Sequence, residues 1–78
     1  MIDREKFAEL LLNTQAKFLL TKGRHLTSVD RSSKPVDLYS LGKRFYEIIY
    51  NSYKEKKVIS IDEVNAENVM HSYFFNNT

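Results

Sequence analysis

The amino-acid sequence predicts an all-α fold: one domain, residues 1–78, with three helices and a long loop between helices 1 and 2. Two observations lead to this prediction. At three places an Asp or Ser follows an apolar residue, and another apolar residue lies four positions after that Asp or Ser. This pattern is typical of a helix start at which the Asp or Ser caps the backbone N–H groups and the two apolar residues pack as a hydrophobic staple. Apolar residues then recur at helical spacing after each start. The predicted helices span residues 4–22, 37–56 and 61–75.

The first predicted helix, residues 4–22, begins after Asp3 and ends before Gly23, a residue that readily adopts the left-handed conformation at a helix end. Its apolar side chains form two adjacent stripes. A surface helix needs an apolar stripe of about 100° for its own core, and these stripes cover roughly double that width. We therefore expect a homodimer formed through this helix.

The segment from Gly23 to Val36 is rich in Ser, Thr, Lys and Arg and predicts a loop. Its fourteen residues are many for a connection in a small domain, and long loops often carry function. Pro35 near its end disfavours helical geometry at the preceding residue and supports a helix start after it.

The middle helix, residues 37–56, has the strongest periodic pattern in the chain. One face of it carries an apolar stripe: Leu38, Leu41, Phe45, Ile48 and Ile49. Tyrosines line the flank of that stripe: Tyr39, Tyr46, Tyr50 and Tyr53. Such tyrosines usually seal a core edge or a protein interface, and the alternative is that they stack on the bases of a single nucleic-acid strand.

The last helix, residues 61–75, follows a capping box formed by Ser60 and Glu63. We interpret the β-prone run 58–61 as the entry to this helix, because no pairing strand is evident. Apolar side chains spread around its second half, which is typical of a segment that is either buried or reserved for a partner.

Residues 67–74, Glu-Asn-Val-Met-His-Ser-Tyr-Phe, resemble the box by which many replication proteins bind a sliding clamp. That box has a glutamine, an aliphatic residue three positions later and a pair of aromatic residues after two more. Glu67 stands where the box has glutamine. The resemblance implies that Met70, Tyr73 and Phe74 insert into a hydrophobic pocket, and the alternative is that they complete the core.

The composition and motifs of the chain argue against enzyme activity and against metal or cofactor binding. The chain has no cysteine, and its two histidines are not spaced as a helical His–His pair. Glu67 and His71 are four residues apart, but a lone pair of this kind is more often a surface hydrogen bond than a metal site. No glycine-rich phosphate loop and no serine-based catalytic motif is present. We expect no enzyme activity, no cofactor and no metal. The longest apolar runs are far shorter than the roughly 20 residues of a membrane span, and no signal-peptide pattern is present, so we expect a cytoplasmic protein.

The predicted function is that of a small non-enzymatic interaction or regulatory protein that binds another macromolecule, most simply a protein, through apolar and tyrosine-lined helix surfaces. The candidate partner-binding residues are Tyr39, Tyr46, Tyr50, Tyr53, Met70, Tyr73 and Phe74. A chain rich in Asn, Lys, Ile and Tyr also suits an AT-rich genome, such as that of a phage or mobile element.

The alternative is a nucleic-acid-binding accessory protein. Residues 17–57 carry ten Lys or Arg against four acids, and this basic middle lies between acidic ends. It would contact phosphates through the basic loop 22–34 and the outer face of the middle helix. The residues assigned to this role are Lys22, Arg24, Arg31, Lys34, Lys43 and Arg44.

Overall fold

The computed structural model describes residues 2–74 and shows an α+β fold, so the all-α prediction is wrong. Four strands form one antiparallel sheet in the order β1-β2-β3-β4, in which each strand pairs with the next one along the chain. Two helices precede the sheet, and a short helix with a π-helical turn follows it. The elements are α1 Arg4–Glu9, α2 Leu12–Lys22, β1 Arg24–Arg31, β2 Lys34–Leu41, β3 Arg44–Tyr50, β4 Val58–Val64, α3 Ala66–Val69 and the π-helical turn Met70–Phe74.

The N-terminal segment is helical, but it forms two helices instead of the single predicted one. Leu10 and Leu11 are extended, with ψ angles of 151° and 153°, and they separate α1 from α2. The predicted cap is present, since the Asp3 side chain accepts a hydrogen bond from the Lys6 backbone N–H. Gly23 follows α2 in an extended conformation rather than a left-handed one. A Cβ at this position would lie 2.6 Å from the Leu19 carbonyl oxygen, so close approach explains the glycine.

The predicted loop 23–36 is a β-hairpin. Its strands β1 and β2 pair from Arg24 opposite Ser40 to Arg31 opposite Lys34, with a bulge near Leu26. The two residues between them, Ser32 and Ser33, have φ angles of 55° and 68°. Positive φ at both central residues is the geometry of a type I′ turn, whose twist matches that of the flanking strands.

The predicted middle helix, residues 37–56, is also a hairpin. Strands β2 and β3 pair up to Leu41 opposite Arg44, so Gly42 and Lys43 form a two-residue turn. Gly42 has a φ angle of 64°, and glycine at the first central position is typical of a type II′ turn. A glycine in the middle of a helix would be destabilising, whereas it favours this turn.

The last predicted helix, residues 61–75, is replaced by a strand followed by a short helical segment. Residues 58–61 belong to β4 and pair with β3, so their interpretation as a helix entry is wrong. Asn65, and not Ser60, caps the helix α3 by accepting a hydrogen bond from the Asn68 N–H. We call residues 66–74 the C-terminal strap. Phe75, the last residue of the predicted helix, lies outside the described residues.

The sheet is covered on both sides. Helices α1 and α2 lie on one side, the helix face, and the C-terminal strap lies on the other, the strap face. On the helix face the core comprises Phe7, Leu19, Tyr39, Leu41, Tyr46, Ile48 and Tyr50. On the strap face Val36 and Leu38 are fully buried, and Val69 is the buried residue of the strap. Each fully buried aliphatic side chain contributes about 1.5–3 kcal/mol relative to exposure, so both layers stabilise the sheet.

Candidate functional site

Three of the tyrosines predicted to bind a partner are core residues. Tyr39, Tyr46 and Tyr50 are 8%, 3% and 7% exposed, and all three point to the helix face of the sheet. Tyr39 lies directly opposite Tyr46 in the β2–β3 register. Burial raises the pKa of all three hydroxyls, that of Tyr50 to about 12. Their side chains therefore offer no surface to a partner.

A buried carboxylate on the helix face is satisfied by neighbouring hydroxyls. Asp37 accepts a hydrogen bond of 2.6 Å from Ser28 Oγ and one of 3.1 Å from the Tyr50 hydroxyl. His25 Nε2 lies 2.9 Å from Ser28 Oγ. In a hydrolase triad the imidazole stands between serine and carboxylate, whereas here the serine does. The arrangement therefore differs from that of a hydrolase triad, and it depends on the pairing of β1 with β2, which the sequence analysis did not predict.

Tyr53 is exposed and joins two neighbouring loops. Its hydroxyl donates to Asp30 Oδ1 over 2.7 Å, which connects the β3–β4 loop to the first hairpin. The side chain is 57% exposed. Of the four tyrosines predicted to flank the middle helix, Tyr53 is the exposed one.

The C-terminal strap is anchored to the sheet by a charged network. Glu47 of β3 accepts two hydrogen bonds from the Arg31 guanidinium, at 3.0 and 2.9 Å. The Tyr73 hydroxyl donates to Glu47 Oε2 over 2.6 Å. The hydrogen bonds from Arg31 hold the pKa of Glu47 below its ordinary value despite its burial, while burial and the bond to Glu47 raise the pKa of Tyr73. Arg31 therefore forms an ion pair with Glu47.

The outward side of the strap carries two large apolar side chains. Met70 is 44% and Phe74 is 56% exposed, and Glu67 beside them is also exposed. The clamp-binding box that residues 67–74 resemble would require Met70, Tyr73 and Phe74 to insert together. Tyr73 faces the sheet instead, so the described geometry presents two of these three side chains.

The predicted basic residues do not form one surface. Arg24 pairs with Ser40 near the turn that contains Lys43, so Lys22, Arg24 and Lys43 share one corner of the sheet, which we call the basic corner. Lys34 lies at the other end of β2, about 23 Å away for a seven-residue span of strand. Arg44 donates from Nη2 to the Ile2 carbonyl oxygen over 2.7 Å. The structure thus brings together three of the six predicted cations.

Within residues 2–74 no group of three or more His, Cys, Asp or Glu side chains is placed to hold a metal ion. No helix in the same range is long and apolar enough to cross a membrane. Comparisons of the chain with protein-family models, curated proteins and solved structures find no match.

Proposed function

We propose that the chain is a small non-enzymatic protein-binding module whose contact surface is centred on Met70 and Phe74 of the C-terminal strap. One observation supports this proposal. The strap directs Val69 and Tyr73 towards the sheet while Met70 and Phe74 remain 44% and 56% exposed. Because its anchors already order the strap, binding would require little additional loss of conformational entropy.

The partner that fits this surface is a protein with an apolar groove wide enough for one helical turn. Short helical segments commonly bind in this way, with two or three apolar side chains in the groove and polar side chains at its rim. Glu67 and His71 are exposed next to the two apolar side chains and suit a polar rim. Aromatic residues in the centre of an interface often contribute most of the binding free energy, which favours Phe74 as the main anchor.

The test compares two double variants of the immobilised protein. Met70→Ser/Phe74→Ser alters the strap, and Leu11→Ser/Leu20→Ser is the matched control, because these leucines are 80% and 58% exposed in the N-terminal segment. A protein captured by the wild type is identified, purified and titrated by calorimetry. The strap variant should weaken binding about a hundredfold, and the control should not. Equal affinities of the two variants would contradict the proposal.

Self-association through the N-terminal helices stays a prediction, but less exposed apolar surface supports it than the sequence suggested. Phe7, Ala16 and Leu19 are buried, so the sheet covers much of the apolar surface that suggested a dimer. Leu11 and Leu20 remain exposed. Light scattering at tens of micromolar gives the answer: twice the chain mass would support a dimer, and the chain mass would exclude one.

Nucleic-acid binding is the second candidate, and the basic corner favours it. Lys22, Arg24 and Lys43 are exposed there, and none of them forms a salt bridge within the described part of the chain. Unpaired cations at one corner can contact consecutive phosphates. This corner is smaller than the surface predicted from the sequence, because Arg31 and Lys34 lie at the opposite end.

A further inference from the structure

The two faces of the sheet are covered unequally. On the helix face, α1 and α2 contribute the buried side chains of Phe7, Ala16 and Leu19. On the strap face, Val69 is the one buried side chain among strap residues 66–74. Segments with few buried apolar contacts are those that open locally at the lowest free-energy cost. The strap is therefore easier to detach from the sheet than the N-terminal helices are.

One side chain makes the polar contacts between the strap and the sheet. Within the described chain two hydrogen bonds join them, and both involve the Tyr73 hydroxyl. This hydroxyl donates to Glu47 Oε2 over 2.6 Å and accepts from Arg31 Nη2 over 3.4 Å. The other hydrogen bonds of the strap stay within it or reach Asn65, which directly precedes it. Losing the contacts of Tyr73 and Val69 would therefore free the whole strap at once.

Asn65 is placed to act as the hinge of this movement. It is the single residue between β4 and α3, it is exposed, and its φ and ψ angles of −84° and 164° are extended. The pairing of β4 with β3 ends at Val64, opposite Phe45, so a rotation at Asn65 leaves the sheet intact. Hinges of this kind are a few residues at the ends of elements that take up the change in φ and ψ.

The strap covers apolar side chains of β2. Val36 and Leu38 are 0% exposed and point to the strap face, and Leu38 lies opposite Glu47, the residue to which the strap is anchored. Because α1 and α2 lie on the other face, detaching the strap would expose these two side chains and leave the helix-face core covered.

We propose that the strap opens and closes as one unit about Asn65 while the sheet and the N-terminal helices stay folded. In the closed state the strap covers Leu38 and holds Met70 and Phe74 in fixed positions at the surface. In the open state Leu38 reaches solvent, and Met70 and Phe74 lose those positions. Opening thus switches off the contact surface proposed above. In that respect alone the inference rests on the proposed function, because the opening itself needs no partner.

The chain has no cysteine, so a single introduced cysteine reports the opening of its own site. Leu38→Cys lies beneath the strap, and Leu41→Cys is the matched control on the same strand, because Leu41 is 1% exposed on the helix face. The rate of alkylation by iodoacetamide gives the fraction of time for which each thiol is exposed, and urea denaturation of each variant gives the fraction that is globally unfolded. Leu38→Cys should be alkylated at least about tenfold faster than its global unfolding permits, and Leu41→Cys no faster than its own permits.

Two further substitutions distinguish the two faces. Phe7→Leu weakens the helix-face core, so it should speed the alkylation of Leu41→Cys several-fold and leave that of Leu38→Cys unchanged. Tyr73→Phe removes the anchoring hydroxyl and should speed the alkylation of Leu38→Cys about tenfold. Alkylation of Leu38→Cys only at the rate that its global unfolding permits would overturn the proposal.

Hydrogen exchange of the unsubstituted chain in low concentrations of urea provides the same test where a cysteine variant does not fold. A helix as short as α3 does not persist once it is detached, so the Val69 amide exchanges when the strap opens. A local opening exposes less surface than global unfolding does, so the exchange of this amide should depend less steeply on urea than the exchange of the β2 amides. Equal urea dependence of the two would also overturn the proposal.

Discussion

The Tyr73 hydroxyl donates a hydrogen bond to Glu47 Oε2 over 2.6 Å and so joins the C-terminal strap to the middle of the sheet. Glu47 is only 6% exposed and also accepts two hydrogen bonds from Arg31. Within the described strap, Val69 is the one buried residue. The placement of Met70 and Phe74 therefore depends on the Tyr73 hydroxyl and on the burial of Val69.

Removing that hydroxyl should loosen the strap. In Tyr73→Phe the buried Glu47 keeps Arg31 but loses one donor, so the free energy of unfolding should fall by about 1–2 kcal/mol. Urea denaturation measures this loss, and hydrogen exchange should show faster exchange of the strap amides. Tyr53→Phe is the control, since its hydroxyl bonds to Asp30 at the surface, and it should cause no measurable loss. An unchanged free energy in Tyr73→Phe would show that the bond does not anchor the strap.

Stability should decrease in acid partly through Glu47. The hydrogen bonds from Arg31 hold the pKa of Glu47 below its ordinary value of 4.5. Because the folded pKa is the lower one, the stabilisation is fully present above about pH 4.5 and is lost as the pH falls through the folded pKa. Urea denaturation at a series of pH values should give a shallower acid dependence for Glu47→Gln than for the wild type.

Tyr73→Phe serves as the comparison for the pH series. It keeps Arg31, whose hydrogen bonds are the largest cause of the lowered pKa, so it should retain most of the acid dependence. If Glu47→Gln and the wild type lose stability equally as the pH falls, Glu47 does not carry the effect.

Replacing the two residues of the first hairpin turn should stabilise the protein. Ser32 and Ser33 both have positive φ, a conformation that costs residues other than glycine and asparagine roughly 1–2 kcal/mol. Asn-Gly is the preferred pair for a type I′ turn, so Ser32→Asn/Ser33→Gly should raise the free energy of unfolding by about 1 kcal/mol. The bond from the Ser33 backbone N–H to Asp30 survives this change. As the control, Ser60→Gly inside β4 should be destabilising, and a loss of stability in the turn variant would contradict the assigned geometry.

If the chain binds nucleic acid through the basic corner, removing charge there should weaken binding more than removing the same charge elsewhere. Lys22→Gln/Arg24→Gln/Lys43→Gln neutralises the basic corner, and Lys34→Gln/Lys54→Gln/Lys57→Gln removes equal charge at the opposite end of the sheet. Fluorescence anisotropy with labelled oligonucleotides over a range of salt gives the slope of log affinity against log salt. If the corner contacts phosphates, its variant should reduce that slope by about 2–3, and the other variant should have little effect. Equal reductions would mean that only net charge matters.

Part of the fold could be predicted from local signals. Short-range rules predict a helix over residues 4–22 and the Asp3 cap, and the structure confirms the cap and the helical character of residues 4–9 and 12–22. Short-range rules do not predict the break at Leu10 and Leu11. The break is favoured by tertiary packing, because it lets Phe7 and Leu19 pack on the same sheet. The two apolar stripes on the predicted helix 4–22 are the sequence signal of that break, although in the sequence alone they suggest a dimer surface.

The hairpin of β2 and β3 imitates a helix because its strands are buried on both faces. Leu38 faces the strap while Tyr39 faces the helices, so the polar–apolar alternation of a half-exposed strand is missing. The apolar positions that remain also fit a period of 3.6 residues. The usable signal was Gly42-Lys43 between two runs rich in β-branched and aromatic residues. The Ser32-Ser33 turn carries no comparable signal.

The candidate surface was only partly predictable. Met70 and Phe74 were among the candidate residues, but their separation from the inward-facing Tyr73 depends on Glu47, which is 26 positions away in sequence. The Arg31–Glu47 pair likewise exists only because β1 and β3 both lie beside β2 in a fixed register. Such contacts follow from strand pairing and not from local sequence, which by itself places Arg31 on a basic surface.

Hydrogen exchange of the chain, with and without the partner that the wild type captures, locates the binding surface. Binding through the strap should protect the amides of residues 66–74 and change those of the N-terminal helices little. Protection confined to the basic corner of Lys22, Arg24 and Lys43, or to the residues around Leu11 and Leu20, would show that the partner binds elsewhere.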